Sequence, residues 1–215
     1  MMKYNLVIWD WNGTLLDDVS ASLRSVNDML ARRNMPPISI DRYRECIGVP
    51  IRVFYEQVFD LSAEDYPSLL EEYNAGYMHY MMLDITLAEG SKELLERIKR
   101  SGAKQIIVSS CEQNQLDEAV KKHGVYDYFD AVLGSDDFFA GSKVQRALDY
   151  IAKNYGGSTP SILAVGDLLH DAELARDTGA YSVLVASGHE SRARLDASGS
   201  EIVETVADIG RILDN

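Results

Sequence analysis

Residues 6–14 read Leu-Val-Ile-Trp-Asp-Trp-Asn-Gly-Thr, and the fold class turns on how this stretch is interpreted. Leu6-Val7-Ile8-Trp9 is continuously apolar and β-prone, which suits a strand buried on both faces of a parallel sheet. The run stops at Asp10-Trp11-Asn12-Gly13, a set of turn formers that places a carboxylate directly at the strand's carboxyl end. In open α/β sheets that edge is where ligands bind.

Similar apolar runs recur at Gln105-Ile106-Ile107-Val108, Ala131-Val132-Leu133, Ser161-Ile162-Leu163-Ala164-Val165 and Tyr181-Ser182-Val183-Leu184-Val185. Between them, residues 91–101, 112–123, 143–154 and 170–178 carry apolar side chains at three- and four-residue spacing, the pattern of amphipathic helices. Ser91 and Gly102 are suitable caps for the first of these. Strands alternating with helices predict an α/β fold, a three-layer, Rossmann-like, doubly wound parallel sheet. Residues 17–86 break the rhythm, with helix-like segments at 18–33, 41–47, 51–59 and 63–83 and no convincing buried strand. Pro36-Pro37 and Gly48-Val49-Pro50 punctuate them. The expected organisation is therefore a core formed by residues 1–16 and 87–215, with an all-helical insertion over 17–86.

The 215 residues are 46% hydrophobic and 26% charged, enough apolar content for a folded core. A net charge of −13 repels phosphate backbones and anionic membrane surfaces, so no nucleic-acid or membrane partner is expected. Cys46 and Cys111 form neither a CxxC pair nor a His-flanked cluster, which argues against a disulfide framework or a structural zinc site. The N-terminal apolar run is too short for a signal-peptide core or a membrane span, and a cytoplasmic location is expected.

Asp10 and Asn12 follow the first strand, Ser109 follows the 105–108 run, Lys143 opens a helix after Gly141, and Asp167 and Asp171 follow the 161–165 run. Singly, each has a structural explanation as a turn former, a helix cap or a surface lysine. Together, a carboxylate, a hydroxyl, a lysine and two carboxylates four apart describe a phosphoryl-transfer site. Carboxylate attack on phosphorus, charge neutralisation by a divalent ion, and a hydroxyl with a lysine on the remaining oxygens would use every group.

VIWDWNGTLLDD, IIVSS, Lys143 and VGDLLHD resemble the four motifs of the haloacid dehalogenase-like superfamily, in its phosphoglycolate phosphatase-like branch with a helical cap. LAEGSKELLERI is similar to the stretch before its second motif. The resemblance implies a phosphatase of small phosphorylated metabolites acting through an aspartyl-phosphate. Asp10 is then the nucleophile, and Ser109 and Lys143 bind the phosphoryl group with Gly13, Thr14 and Ser110. The metal set is Asp10, the Asn12 carbonyl, Asp167 and Asp171, and the implied ion is Mg²⁺, consistent with oxygen-only ligands.

The chain departs from the phosphatase pattern at Asn12, where an aspartate usually protonates the leaving group and then activates water; an amide does neither. Replacing Asn12 by Asp is therefore expected to raise turnover. The alternatives are a haloacid dehalogenase, in which the acidic pair would be idle, a phosphonatase, and a catalytically impaired phosphate-binding protein. The phosphonatase lacks support because no lysine lies between Lys3 and Lys92 to form its Schiff base.

Arg52, in the Gly48-Val49-Pro50-Ile51-Arg52 turn, is the candidate specificity residue for a second anion, with Arg24, Arg42 and Arg44 behind it. The cluster Tyr73, Tyr77, Met78, Tyr80, Met81 and Met82 is core, pocket lining or a dimer face, so both monomer and homodimer stay open. Cys111 and Glu112 are placed at the pocket rim. His170 and His189 are read as surface or capping residues, with a substitute proton shuttle near neutral pH as the alternative role.

Overall fold

The computed structural model describes residues 2–83, 85–135, 143–156 and 160–214. In chain order the elements are β1 (Leu6–Trp9), β2 (Leu16–Asp17), α1 (Val19–Arg32), α2 (Ile40–Cys46), α3 (Arg52–Val58), α4 (Tyr66–Met81), β3 (Thr86–Leu87), α5 (Ser91–Ser101), β4 (Lys104–Glu112) and α6 (Gln113–Lys122). They continue with β5 (Ala131–Ser135), α7 (Lys143–Tyr155), β6 (Ile162–Gly166), α8 (Leu169–Thr178), β7 (Tyr181–Val185), α9 (Arg192–Asp196), β8 (Glu201–Val203) and α10 (Ile209–Ile212).

Six parallel strands form one sheet in the order β5-β4-β1-β6-β7-β8. The chain winds outward from β1 through β4 to β5, then crosses to β6 on the opposite side and proceeds to β8. The reversal falls beside β1, so the crevice of this doubly wound sheet opens at the carboxyl ends of β1, β4 and β6. Alternation of side chains sends Val7 and Trp9 to one face, where they pack with α5 and α6, and Leu6 and Ile8 to the other, against α7 and α8. The strands β1 and β6 and the middle of β4 are buried on both faces, which is why each reads as an unbroken apolar run.

The expected strands and helices are all present, with ends shifted by a few residues. The sequence patterns missed β8, a three-residue edge strand, and the antiparallel pair β2–β3, which joins Leu16 to Leu87 and Asp17 to Thr86. Two residues per strand are too few to show a period. This ribbon ties together the chain segments that lead into and out of α1–α4, and it sets Asp17 and Thr86 in strands inside the segment expected to be all helical.

Helices α1–α4 enclose a separate apolar cluster that includes Val26, Met29, Leu30, Phe54, Tyr55 and Leu69. They are clasped to the sheet by two arginines. Arg44 donates to the carbonyls of Gly188 (2.9 Å) and Ser187 (2.7 Å), and Arg194 donates to the carbonyl of Ile47 (2.7 Å). Arg33 joins α1 to α4 and the loop before it by donating to Glu64 (2.6 and 3.0 Å) and Glu72 (2.8 and 3.3 Å). Hydrogen bonds from Arg33 hold both carboxylates below their ordinary range, so their contribution exists at neutral pH and is lost on acidification. Arg33→Met is expected to lower stability by about 1 kcal/mol at neutral pH. In urea unfolding, the gap from wild type should narrow toward about pH 4, as the two carboxylates protonate.

Candidate functional site

Three strand ends converge on the crevice. Asp10 follows β1, and its N–H extends the ladder by donating to the Val165 carbonyl at 2.8 Å. Asp167 follows β6 directly. Ser109 lies within β4 at the point where its register with β5 shifts, between Val108 and Glu112. An irregularity of this kind re-aims side chains at a sheet rim. Ser109 is buried, and its hydroxyl accepts the Cys111 N–H at 3.2 Å, which leaves its own hydrogen to donate.

Lys143, the first residue of α7, is buried and donates to Asp10 Oδ1 at 2.6 Å and to Asp171 Oδ1 at 2.5 Å. Asp171 Oδ2 in turn accepts the N–H groups of Asp167 and Leu168, each at 3.0 Å, and so fixes the turn that carries Asp167. Asp10, Asp167 and Asp171 are all buried, with carboxylate oxygens within 4.8 Å of one another. Burial pushes the Asp10 carboxyl up to about 6; Lys143 opposes the rise and the Asp171 charge adds to it. Burial raises Asp167 well above its usual range, and the charges of Asp10 and Asp171 reinforce the shift. Burial alone would lower Lys143, yet the two carboxylates facing it hold it above its ordinary value. One ammonium paired with two of three clustered carboxylates leaves a local surplus of negative charge on oxygen-only donors, the chemistry that suits a hard divalent cation.

The turn after β1 presses against this cluster. Gly13 has φ +71°, and a Cβ there would lie 2.3 Å from Asp167 Oδ2 and from the His189 ring. Both the left-handed backbone and the close approach require glycine. Thr14 is buried and donates to Asp167 Oδ1 at 3.1 Å, so it holds a carboxylate of the cluster. The His189 N–H donates to Asp167 Oδ2 at 2.7 Å.

Asn12 is turned toward the helices. Its Nδ2 donates to Asp18 Oδ2 at 2.8 Å and to the Tyr77 hydroxyl oxygen at 2.7 Å, and Tyr77 donates to the same Asp18 oxygen at 2.6 Å. Asp18 Oδ1 accepts the Gly13 N–H at 2.6 Å and faces His189 Nε2 at 3.2 Å, while His189 Nδ1 lies 2.8 Å from the Tyr43 hydroxyl. Burial would raise Asp18, but the charge and hydrogen bond of His189 outweigh it, with help from Tyr77 and Asn12, and Asp18 lies below its ordinary value. Burial would likewise lower His189, yet Asp18, followed by Asp167 and Asp10, raises it to about 9. Asp18 occupies the N-cap position of α1 without capping it, because its carboxylate is taken up by this network.

Asp18 and Tyr43 were not singled out as site residues by the sequence, and Tyr77 stood only in the tyrosine–methionine cluster left open as core, pocket lining or a dimer face; it lines the cavity beside the site. An acidic residue before a helix reads as a cap, and the only signal was the doubled Asp17-Asp18. His189, weighed there as a surface or capping residue, is buried within the network. The structure thus brings together Asp10, Asn12, Gly13, Thr14, Lys143, Asp167 and Asp171. Ser110 is exposed and lines the neighbouring cavity. Arg52 is not brought to the site; it is exposed, pairs with Glu56 at 2.8 Å and lies over the Tyr66 ring. Arg44 is spent on the clasp. Burial and Glu112 push the Cys111 thiol up to about 12, which leaves it a poor nucleophile. Burial and Lys143 lower His170, favouring its neutral form. Gly141 lies outside the described residues.

Residues 7–185 match the haloacid dehalogenase-like hydrolase family. The chain belongs to that family. Among proteins similar to it is the phosphoglycolate phosphatase of Caulobacter vibrioides, 26% identical over 202 residues that cover 92% of this chain and 85% of that one. Another is the N-acetylmuramic acid 6-phosphate phosphatase of Pseudomonas aeruginosa, 26% identical over 191 residues, 87% of this chain and 84% of that one. The crystal structure of a predicted phosphoglycolate phosphatase from Haemophilus somnus 129pt superposes with a TM-score of 0.79 at 20% identity, covering 99% of each chain. The family and fold expected from the motifs are borne out. Among the described residues of this hydrolase, no helix is long and apolar enough to cross a membrane.

Removing the ammonium between Asp10 and Asp171 strands two buried carboxylates together. Lys143→Met is expected to destabilise the chelator-treated protein by about 3 kcal/mol in urea unfolding. Asp10→Asn on that background should recover part of the loss, because it removes one of the stranded charges.

Proposed function

We propose that this hydrolase is a Mg²⁺-dependent phosphatase of small phosphorylated metabolites and works through a covalent aspartyl-phosphate on Asp10. The observation that carries this reading is the Asp10 carboxylate, fixed by Lys143 at the carboxyl end of β1 beside Asp167 and Asp171. The phosphatase relatives support the same reaction class. The acidic cluster also favours phosphoryl transfer over dehalogenation, which gives Asp167 and Asp171 no charge to hold.

An Asp10 oxygen attacks phosphorus in line with the ester oxygen, and the P–O bond to the alcohol breaks as the acyl-phosphate bond forms. Lys143 and the Ser109 hydroxyl hold the non-bridging oxygens, where negative charge is concentrated. Water then attacks phosphorus and returns Asp10 as a carboxylate. Asp10, Asp167 and the Asn12 carbonyl would hold Mg²⁺, with Asp171 supporting the turn, and the ion would supply charge neutralisation at the nucleophile and the phosphoryl oxygens. Residues 17–86 act as a cap that excludes water and contacts the leaving group.

Asn12 cannot transfer a proton, and its amide is committed to Asp18 and Tyr77. The structure also changes what Asn12→Asp should do. A carboxylate at position 12 would face Asp18 Oδ2 across the present 2.8 Å contact, so the two charges repel. The single substitution is therefore expected to lower turnover, against the gain that the motif alone suggests. Asn12→Asp combined with Asp18→Asn removes the repulsion and is expected to exceed wild type by about tenfold or more, within the range of general acid–base catalysis. Steady-state phosphate release on the two variants checks the order; a gain from the single substitution contradicts it.

The reading itself is tested by phosphate release from aryl and metabolite phosphates. Activity is expected to vanish with chelator, to return with Mg²⁺, and to fall at least about a thousandfold in Asp10→Asn. Undiminished hydrolysis in Asp10→Asn contradicts the covalent route.

A further inference from the structure

Between α4 of the cap and the β1 and β4 ends of the sheet lies a cavity of about 460 Å³, lined in large part by apolar side chains. It reaches Asn12 and Ser110, immediate neighbours of the phosphoryl-binding groups. On the cap side, the Tyr73 and Tyr77 rings stack at 5.8 Å and 15°. On the sheet side, Trp11 packs beside His123, with ring centroids 6.1 Å apart. Met78 and Met82, exposed by 44% and 73%, stand at the mouth.

The tyrosine hydroxyls of this wall are already used. Tyr73 donates its hydroxyl to Ser22 at 3.0 Å, Tyr77 donates to Asp18, and the Tyr43 hydroxyl pairs with His189. What the tyrosines offer an occupant is therefore ring faces and edges. Three acidic residues, Asp18, Glu112 and Glu118, belong to the same lining. Against them stand His189, which is paired with Asp18, and Lys122, whose ammonium is exposed and directed to the Met81 carbonyl at 3.5 Å. Among the described lining residues, none is an arginine. A second anionic group on the leaving alcohol would thus sit against apolar and acidic surface with no dedicated cation, an arrangement that desolvation and charge both oppose.

Resting on the phosphatase reading, we propose that the preferred substrate is the phosphate monoester of an uncharged, apolar, ring-sized alcohol, and that phosphorylated hydroxy acids such as phosphoglycolate are poor substrates. The reaction is ROPO₃²⁻ + H₂O → ROH + HPO₄²⁻, with one water proton ending on the alcohol oxygen and the other on phosphate. The edges and outer faces of the stacked tyrosines take the ring, and the methionines adapt to its outline.

The test compares benzyl phosphate with 2-phosphoglycolate under identical Mg²⁺ concentrations, by kcat/KM, on wild type and on Met78→Arg. Wild type is expected to favour benzyl phosphate by at least about tenfold. Met78→Arg, which adds a cation to the cavity wall, is expected to shift the ratio toward phosphoglycolate. Asp10-dependent hydrolysis that favours phosphoglycolate in wild type overturns the substrate proposal and leaves the phosphatase reading standing. If neither ester turns over, that reading fails, and binding of benzylphosphonate against phosphonoacetate by calorimetry decides for the cavity. Tighter benzylphosphonate supports the apolar site, and tighter phosphonoacetate overturns it.

Discussion

The buried ammonium of Lys143 is the interaction on which the site depends. It bridges Asp10 and Asp171, carboxylates supplied by opposite halves of the winding, and Asp171 passes the constraint on by accepting the two amides that shape the turn at Asp167. Three acidic groups could not otherwise share so small a buried volume, since each ionised neighbour raises the cost of ionising the next. The sheet order places β1 between β4 and β6, and this sets Asp10, Ser109 and the acidic turn side by side. Fold and chemistry are linked through that one strand.

A second network, built on Asp18, lies on the cap side of the same turn. Asp18 binds the Gly13 amide, the Asn12 side chain, Tyr77 and His189, and His189 continues to Tyr43 and, through its backbone, to Asp167. Helices α1–α4 and the turn after β1 therefore share hydrogen bonds. In this chain a carboxylate stands one helix entry away from position 12, and the amide at 12 donates to it. The substitution at Asn12 is better understood with its partner than as an isolated loss.

Much of this was legible in the sequence because the informative residues are local. Leu6–Trp9 and its counterparts in β4 and β6 are buried on both faces, so their identity as strands is written in consecutive apolar residues. The carboxylate, the lysine and the acidic pair each stand near an element's end, where turn and cap chemistry draws the eye, and the hydroxyl stands where the apolar run of β4 stops. What remained illegible depends on long-range meetings. His189 and Asp18 are 171 positions apart, and Tyr43 and His189 are 146 apart, with no periodicity linking them. Arg52 illustrates the converse: a basic residue in a promising turn is satisfied by Glu56 one helical turn away. The ribbon of Leu16–Asp17 and Thr86–Leu87 and the edge strand Glu201–Val203 are too short to carry a pattern.

The covalent role proposed for Asp10 can be tested directly. Because the amide at position 12 cannot activate water, the acyl-phosphate should persist long enough to trap. Acid quenching during turnover, reduction with borohydride and peptide mass spectrometry should convert residue 10, and no other acidic residue, to homoserine in a Mg²⁺-dependent way. Phosphate release under the same conditions with residue 10 unmodified, or with reduction at a different carboxylate, would contradict the central role given to Asp10.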